Sequence, residues 1–302
     1  MSFSRQVKQE ICKKEPRNPS CVVAACYGIA CFGRSFDTKG VVLHTENPFI
    51  AQWAKAVFLA AGIEGNVTAK GGGSSSLYEF AVKDPYEVEK MLATFGHTGE
   101  ETAVRIHSDN FNCDGCFSWF TTAAFLCCGT VVNPAKGYAL EFVSSRFQVL
   151  KDFAALLDEK GFASKRTVRN GLNVLYFKAS GQIEDILTYM GATRAAMEIM
   201  SQKVYKDFRN KANRITNCES ANIDKIVAAS MQVTEAIQTL KRHDALQALS
   251  PPLQEAVALK EKYPELSLAE LAAVSPQPVS KSGLSHRYKK ILQIAEKLQT
   301  NT

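Results

Sequence analysis

Between Ser280 and Lys297 the sequence gathers five cations, Lys281, Arg287, Lys289, Lys290 and Lys297, against one acid, Glu296. Ser282, Ser285, His286 and Lys289 recur at i, i+3, i+4 and i+7, so on a helix they project from one face. Cations there can neutralise phosphates, which supplies most non-specific affinity for DNA. Hydroxyls and an imidazole can reach base edges. Ser282, Ser285 and His286 are read as base contacts, and Lys281, Arg287, Lys289 and Lys290 mainly as phosphate contacts. Ser280 opens the same DNA-binding set.

Other chemistry is weaker. Cys113-Asp-Gly-Cys116 has metal-ligand spacing, with Cys127 and Cys128 shortly after as a conceivable second pair. A structural zinc site needs two half-sites in loops, and adjacent residues in an apolar helix point about 100° apart. Cys21, Cys26 and Cys31 step by five and scatter around a helix in the same way. The cysteines are therefore expected to act as small buried apolar residues in a reducing compartment, with no metal site and no cofactor. Gly71 to Ser76 lacks the GxxxxGK[ST] spacing and the following helix of a phosphate loop, and is expected to be a hairpin tip. Five scattered histidines give no catalytic arrangement, so no catalytic residue is assigned.

The basic segment needs elements to hold it. Pro251-Pro252 start a helix with Leu253, Ala256, Val257 and Leu259 at helical spacing. Ser267 with Glu270 is a capping box for a short helix, Ser267 to Val274. Ser275-Pro276-Gln277-Pro278 breaks the chain, and a second helix runs from Val279 to Leu298. Its Leu284, Tyr288, Ile291, Leu292, Ala295 and Leu298 form one apolar face. A short helix, a turn and a basic second helix make a helix-turn-helix, which places one helix in the major groove. The charge agrees: residues 201–302 hold 15 Lys/Arg against 10 Asp/Glu, whereas residues 1–200 are nearly balanced.

Thr193 to Leu240 reads as long helices joining two domains. Asn213, Arg214, Asn217, Asn222 and Lys225 are expected to cap helices and satisfy backbone groups at that junction, and a supplementary nucleic-acid or partner surface is the competing reading.

The first half is duplicated. Ala24 to Gly33 and Thr121 to Gly129 are both apolar helices rich in small residues that end in glycine. After each come strands, a helix (Pro48 to Ala61; Phe147 to Lys160), two more strands and a last helix (Pro85 to Phe95; Gln182 to Met190). Small residues would let the two leading helices approach closely where the copies meet. The expected domains are a first copy at 1–110, a second at 111–192, a helical linker at 193–245 and a helix-turn-helix domain at 246–302.

This pattern resembles the LAGLIDADG homing-endonuclease fold. In those nucleases an acidic residue just before the final glycine of each helix binds the catalytic metal. Here Phe32 and Cys128 hold the matching positions, and Ala30 or Leu126 the earlier ones. None supplies the hard oxygen that a magnesium ion needs. The whole chain resembles the WhiA family of bacterial regulators. The likeness begins at Met1-Ser-Phe-Ser and covers both leading helices. It takes in Asn210-Lys-Ala-Asn-Arg-Ile-Thr-Asn-Cys-Glu-Ser-Ala-Asn222 with Lys225 and Gln232, and ends at Ser280-Lys-Ser-Gly-Leu-Ser-His-Arg287. One departure is Thr122-Ala123, where the family usually carries Arg-Gly. The resemblance implies an α+β N-terminal domain of two pseudo-symmetric LAGLIDADG-like copies without nuclease activity. An all-α helix-turn-helix domain similar to region 4 of sigma factors follows.

The expected function is a non-enzymatic transcription regulator that binds double-stranded DNA. The resemblance implies roles in cell division, chromosome segregation or sporulation, with a WhiB-type iron–sulfur regulator or RNA polymerase as protein partner. The alternatives are a low-specificity DNA-binding scaffold linked to division and a divergent LAGLIDADG endonuclease. The N-terminus lacks the apolar core of a signal peptide and no apolar run is long enough for a bilayer. The expected place is therefore the cytoplasm, at the nucleoid.

Overall fold

The computed structural model describes residues 1–70 and 77–300, so the hairpin tip expected at Gly71 to Ser76 lies outside the described residues. Two compact units divide the chain, Met1–Asp207 and Phe208–Thr302. No helix among the described residues is long and apolar enough to cross a membrane.

The first unit opens with α1 (Phe3–Ile11), which buries Phe3, Val7 and Ile11 along one stripe. This helix has no counterpart in the sequence reading. The first copy then runs α2 (Pro19–Phe32), β1 (Ser35–Asp37), β2 (Gly40–Thr45), α3 (Pro48–Ala60), β3 (Asn66–Lys70), β4 (Leu77–Val82) and α4 (Pro85–Phe95). The second repeats it as α5 (Cys116–Cys128), β5 (Gly129–Val131), β6 (Leu140–Ser144), α6 (Phe147–Glu159), β7 (Lys165–Arg169), β8 (Leu172–Phe177) and α7 (Ser180–Tyr189). Each copy forms a four-stranded antiparallel sheet, ordered β1-β2-β4-β3 in the first and β5-β6-β8-β7 in the second. The same topology twice is the structural form of the duplication. It matches the order of elements expected from sequence.

Local sequence explains the helix starts. Asn18, Asn47 and Asp84 each place a side-chain oxygen on a first-turn N–H, and a proline follows at the first helical position. The two central helices behave differently from the rest. α2 buries eleven of its fourteen residues and α5 nine of its thirteen. A helix apolar on all sides belongs in a core, and α2 and α5 pack directly on each other at the centre of the unit. Their close approach depends on Gly28: a side-chain carbon there would stand 2.7 Å from both Ala123 Cβ and the Phe120 carbonyl oxygen. Ala123, one of the two positions departing from the family pattern, is thus a packing residue.

The helix α8 (Thr193–Arg242) is continuous over 50 residues. Its first N–H groups are capped from a distance, because the Glu10 carboxylate accepts from Arg194 N at 2.8 Å and Ala195 N at 3.2 Å. This continuity corrects the junction reading. Asn213, Arg214, Asn217, Asn222 and Lys225 cap nothing; they lie in mid-helix and are exposed.

The second unit packs the end of α8 against α9 (Pro251–Lys262), α10 (Leu268–Ala273) and α11 (Lys281–Thr300). Its core holds Ile237 and Leu240 from α8 and Ala256 from α9. Leu271 comes from α10, and Leu284, Ile291 and Ala295 come from α11. The apolar face read from sequence on α11 is the buried one. Tyr288 adds a hydrogen bond from its hydroxyl to the Ala256 carbonyl at 3.2 Å.

Candidate nucleic-acid interface

The helix pair α10–α11 is held by caps. Ser267 N donates to Glu270 Oε2 at 2.8 Å, and Glu270 N donates to Ser267 Oγ at 3.4 Å, completing the capping box. Ser280 caps α11, accepting from Gly283 N at 3.1 Å, and its hydroxyl lies 3.0 Å from that of Ser282. Ser280 therefore orients the helix start, where the sequence reading placed it simply among the DNA contacts.

With Leu284 and Ile291 turned inward, the opposite face of α11 carries the expected residues. Lys281, Ser282, His286, Lys289 and Lys290 are exposed, and Ser285 is half-buried. Among the described residues none of the three lysines forms an ion pair, which leaves their ammonium groups available to an outside anion. Arg287 stands apart from them. Its side chain is only 20% exposed, and Nη1 donates to Glu255 Oε2 on α9 at 3.1 Å. It fastens α11 to α9.

A groove of about 580 Å³ lies in this unit between α8, α10 and α11. Its floor is apolar, with Val233, Leu271 and Leu292. Lys225, Lys281 and Lys289 line it together. Ser285 also faces the groove. Lys225 belongs to the polar set for which a supplementary nucleic-acid surface is the competing sequence reading; its place beside Lys281 is not legible there, because the end of α8 and two further helices lie between them.

The first unit presents another arrangement where the two central helices end. Arg146 Nη1 donates to the Ala30 carbonyl at 2.9 Å and the Cys31 carbonyl at 2.7 Å, in the last turn of α2. Lys8 Nζ donates to the Leu126 carbonyl at 3.1 Å, in the last turn of α5. Burial pushes both cations below their usual pKa values, and nearby cysteines oppose the shift. Each cation faces the negative end of a helix dipole. Phe32, Ala30 and Leu126 are buried beside them, and Cys128 is half-buried with its thiol pushed up to about 12 by burial.

The sequence placed Cys113 and Cys116 in one motif, and the structure gives them a different companion from Cys127 and Cys128. Those two lie at the opposite end of α5, whereas the thiol beside Cys113 belongs to Cys21, at an Sγ–Sγ distance of 3.4 Å.

Comparison with known proteins gives consistent results. Residues 117–209 match the WhiA LAGLIDADG-like domain and residues 212–295 the WhiA C-terminal HTH domain. A "Probable cell division protein WhiA" of Clostridium botulinum (strain Hall) is 31% identical over 320 residues, covering 99% of each chain. Its counterpart in Clostridium perfringens (strain 13) is 32% identical over 316 residues with the same coverage. The crystal structure of the full-length WhiA protein from Thermatoga maritima superposes with a TM-score of 0.61 at 19% identity, covering 98% of this chain and 99% of that one. That likeness is one of fold.

Proposed function

The chain belongs to the WhiA family, and from that premise we propose that it is a DNA-binding regulator linked to cell division, acting through α11. The exposed lysine-bearing face of α11, braced by the capped α10 and by α9, carries the proposal. Lys281, Lys289 and Lys290 meet phosphates, and Lys225 shares the groove with Lys281 and Lys289. Ser282, Ser285 and His286 meet base edges. Ser280 and Arg287 position the helix without being its main contacts.

Control of specific promoters is the finer part of this reading, as is a role in chromosome segregation or sporulation. So is association with the nucleoid, with a WhiB-type iron–sulfur regulator or with RNA polymerase. Promoter fragments competed against scrambled DNA at several salt concentrations test sequence preference, because specificity is a ratio that has meaning only at a stated salt concentration. A large promoter-to-scrambled ratio supports a regulator. A ratio near one makes the protein a low-specificity DNA-binding scaffold.

The first unit acts without nuclease chemistry. A hydrolase of the LAGLIDADG type holds its divalent ion on oxygen ligands at the ends of the two central helices. Here Phe32, Cys128, Ala30 and Leu126 offer no carboxylate. The Arg146 guanidinium and the Lys8 ammonium occupy the last-turn carbonyls instead. Positive charge at both helix ends repels a divalent cation. Plasmid that stays intact with magnesium or manganese, at protein amounts that give binding, agrees with this. Metal-dependent cleavage would return the chain to the enzymes.

A further inference from the structure

Three cysteines from two distant parts of the first unit converge. Cys113 Sγ lies 3.4 Å from Cys21 Sγ and 3.2 Å from Cys116 Sγ, and all three sulfurs fall within 4.8 Å of one another. Cys21 stands in the first turn of α2 and Cys116 begins α5, so the cluster joins the starting ends of the two central helices. Cys21 and Cys116 are buried, while Cys113 is half-buried. Cys113 also lines a cavity of about 370 Å³ together with Asn112, Asp114 and Glu159.

We propose that Cys21, Cys113 and Cys116 form a binding site for one zinc ion, with water from the adjoining cavity as fourth ligand. The geometry is close to what the ion needs. Tetrahedral zinc with bonds of about 2.3 Å sets its sulfurs about 3.8 Å apart, so the cluster opens by a few tenths of an ångström to admit it. A disulfide would engage two of these sulfurs and leave the third without a role, whereas a thiophilic cation uses all three.

The surroundings also suit a thiolate site. The turn that opens α5 holds Cys113 and Cys116 together, the Cys113 carbonyl accepting from Cys116 N at 3.0 Å. Metal binding releases the thiol protons. Gly115 keeps the site open, since a side-chain carbon there would stand 3.2 Å from Cys21 Sγ. Bound zinc would tie the starts of α2 and α5 together, and with them the two copies.

The test uses the full chain, kept reduced and stripped with a chelator, then titrated with Co²⁺ as a spectroscopic substitute. The expected result is a thiolate-to-cobalt charge-transfer band that saturates at one metal per chain and disappears on adding Zn²⁺. Cys113→Ser loses the band, whereas Cys127→Ser keeps it and so excludes the cysteines near Lys8. Zinc should also raise the thermal midpoint of the wild-type chain and slow alkylation at Cys113, a readout that needs no variant. No band in the reduced wild-type chain, or an undiminished band in Cys113→Ser, overturns the proposal. Cys113 alkylation unchanged by zinc overturns it as well.

Discussion

Arg287 of α11 and Glu255 of α9 form a half-buried ion pair, with Nη1 3.1 Å from Oε2 and both side chains about one-fifth exposed. The pair gives Arg287, expected from sequence to meet phosphates, a partner inside the unit that fixes α11 to α9. It also separates two effects that a basic helix would otherwise mix, the stability of the unit and its affinity for DNA.

Arg287→Ala is therefore expected to act on stability. It leaves the Glu255 carboxylate without its partner in a half-buried place, at a cost of about 1–2 kcal/mol, between the exposed and fully buried limits for ion pairs. Urea unfolding should show a lower midpoint, while the salt slope of DNA binding stays close to wild type. A flattened slope with unchanged stability would put Arg287 back on the phosphates.

Gly28 sets the approach of the two copies. Gly28→Val drives its side chain into Ala123 and the Phe120 carbonyl, and overpacking of this kind costs about 1–3 kcal/mol. The lower thermal midpoint should come with Gly28→Ala at an intermediate value. A Val variant as stable as wild type would mean that α2 and α5 can move apart freely.

Arg146→Met removes two charge-assisted hydrogen bonds to α2 carbonyls. Such bonds are worth about 1.5–3 kcal/mol each, although a shared donor gives less than the sum. Unfolding should shift to lower denaturant, and plasmid should remain uncut with magnesium, since removing the cation creates no oxygen ligand. Cleavage by this variant would mean that the cation alone had blocked a working metal site.

Glu79 supplies a pH-dependent contribution. The carboxylate accepts from Lys70, from Lys83 at 2.9 Å and from His44 at 2.9 Å, and these bonds bring its pKa from the usual 4.5 down to about 2. A carboxylate depressed in the folded state stabilises above its unfolded value and loses that stabilisation as pH falls through its folded one. Wild type should exceed Glu79→Gln in stability at neutral pH, with the gap narrowing from about pH 4.5 toward pH 2. A gap that stays constant across that window would separate Glu79 from the titration.

What the sequence made legible follows from the range of the signals. Asn18-Pro19, Asn47-Pro48 and Asp84-Pro85 announce helix starts within two residues, and Ser267 with Glu270 announces another within four. Those Asn/Asp-Pro starts belong to the first copy alone; the duplication shows instead in two apolar, small-residue helices that end at Gly33 and Gly129, and the helix-turn-helix in the Ser267–Glu270 cap and the proline break. The relationships that remained hidden are long-range. Cys21 lies 92 residues from Cys113, Arg146 reaches back to Ala30, and Arg287 reaches Glu255 across two helix boundaries. Asn213 and Asn217 misled for a related reason: their preference for caps is real, but a 50-residue helix overrode it.

The most direct test of the central claim is binding of the full chain to a promoter duplex by fluorescence anisotropy across a salt series, for wild type and for the triple variant Lys281→Ala, Lys289→Ala, Lys290→Ala. Each lost phosphate contact lowers the slope of log affinity against log salt by roughly 0.9. The expected result is weaker binding by the variant to every sequence, with a slope flattened in proportion to the contacts removed and an unchanged unfolding midpoint. Equal affinity and equal slope for the two proteins would contradict it, and would place DNA recognition away from α11.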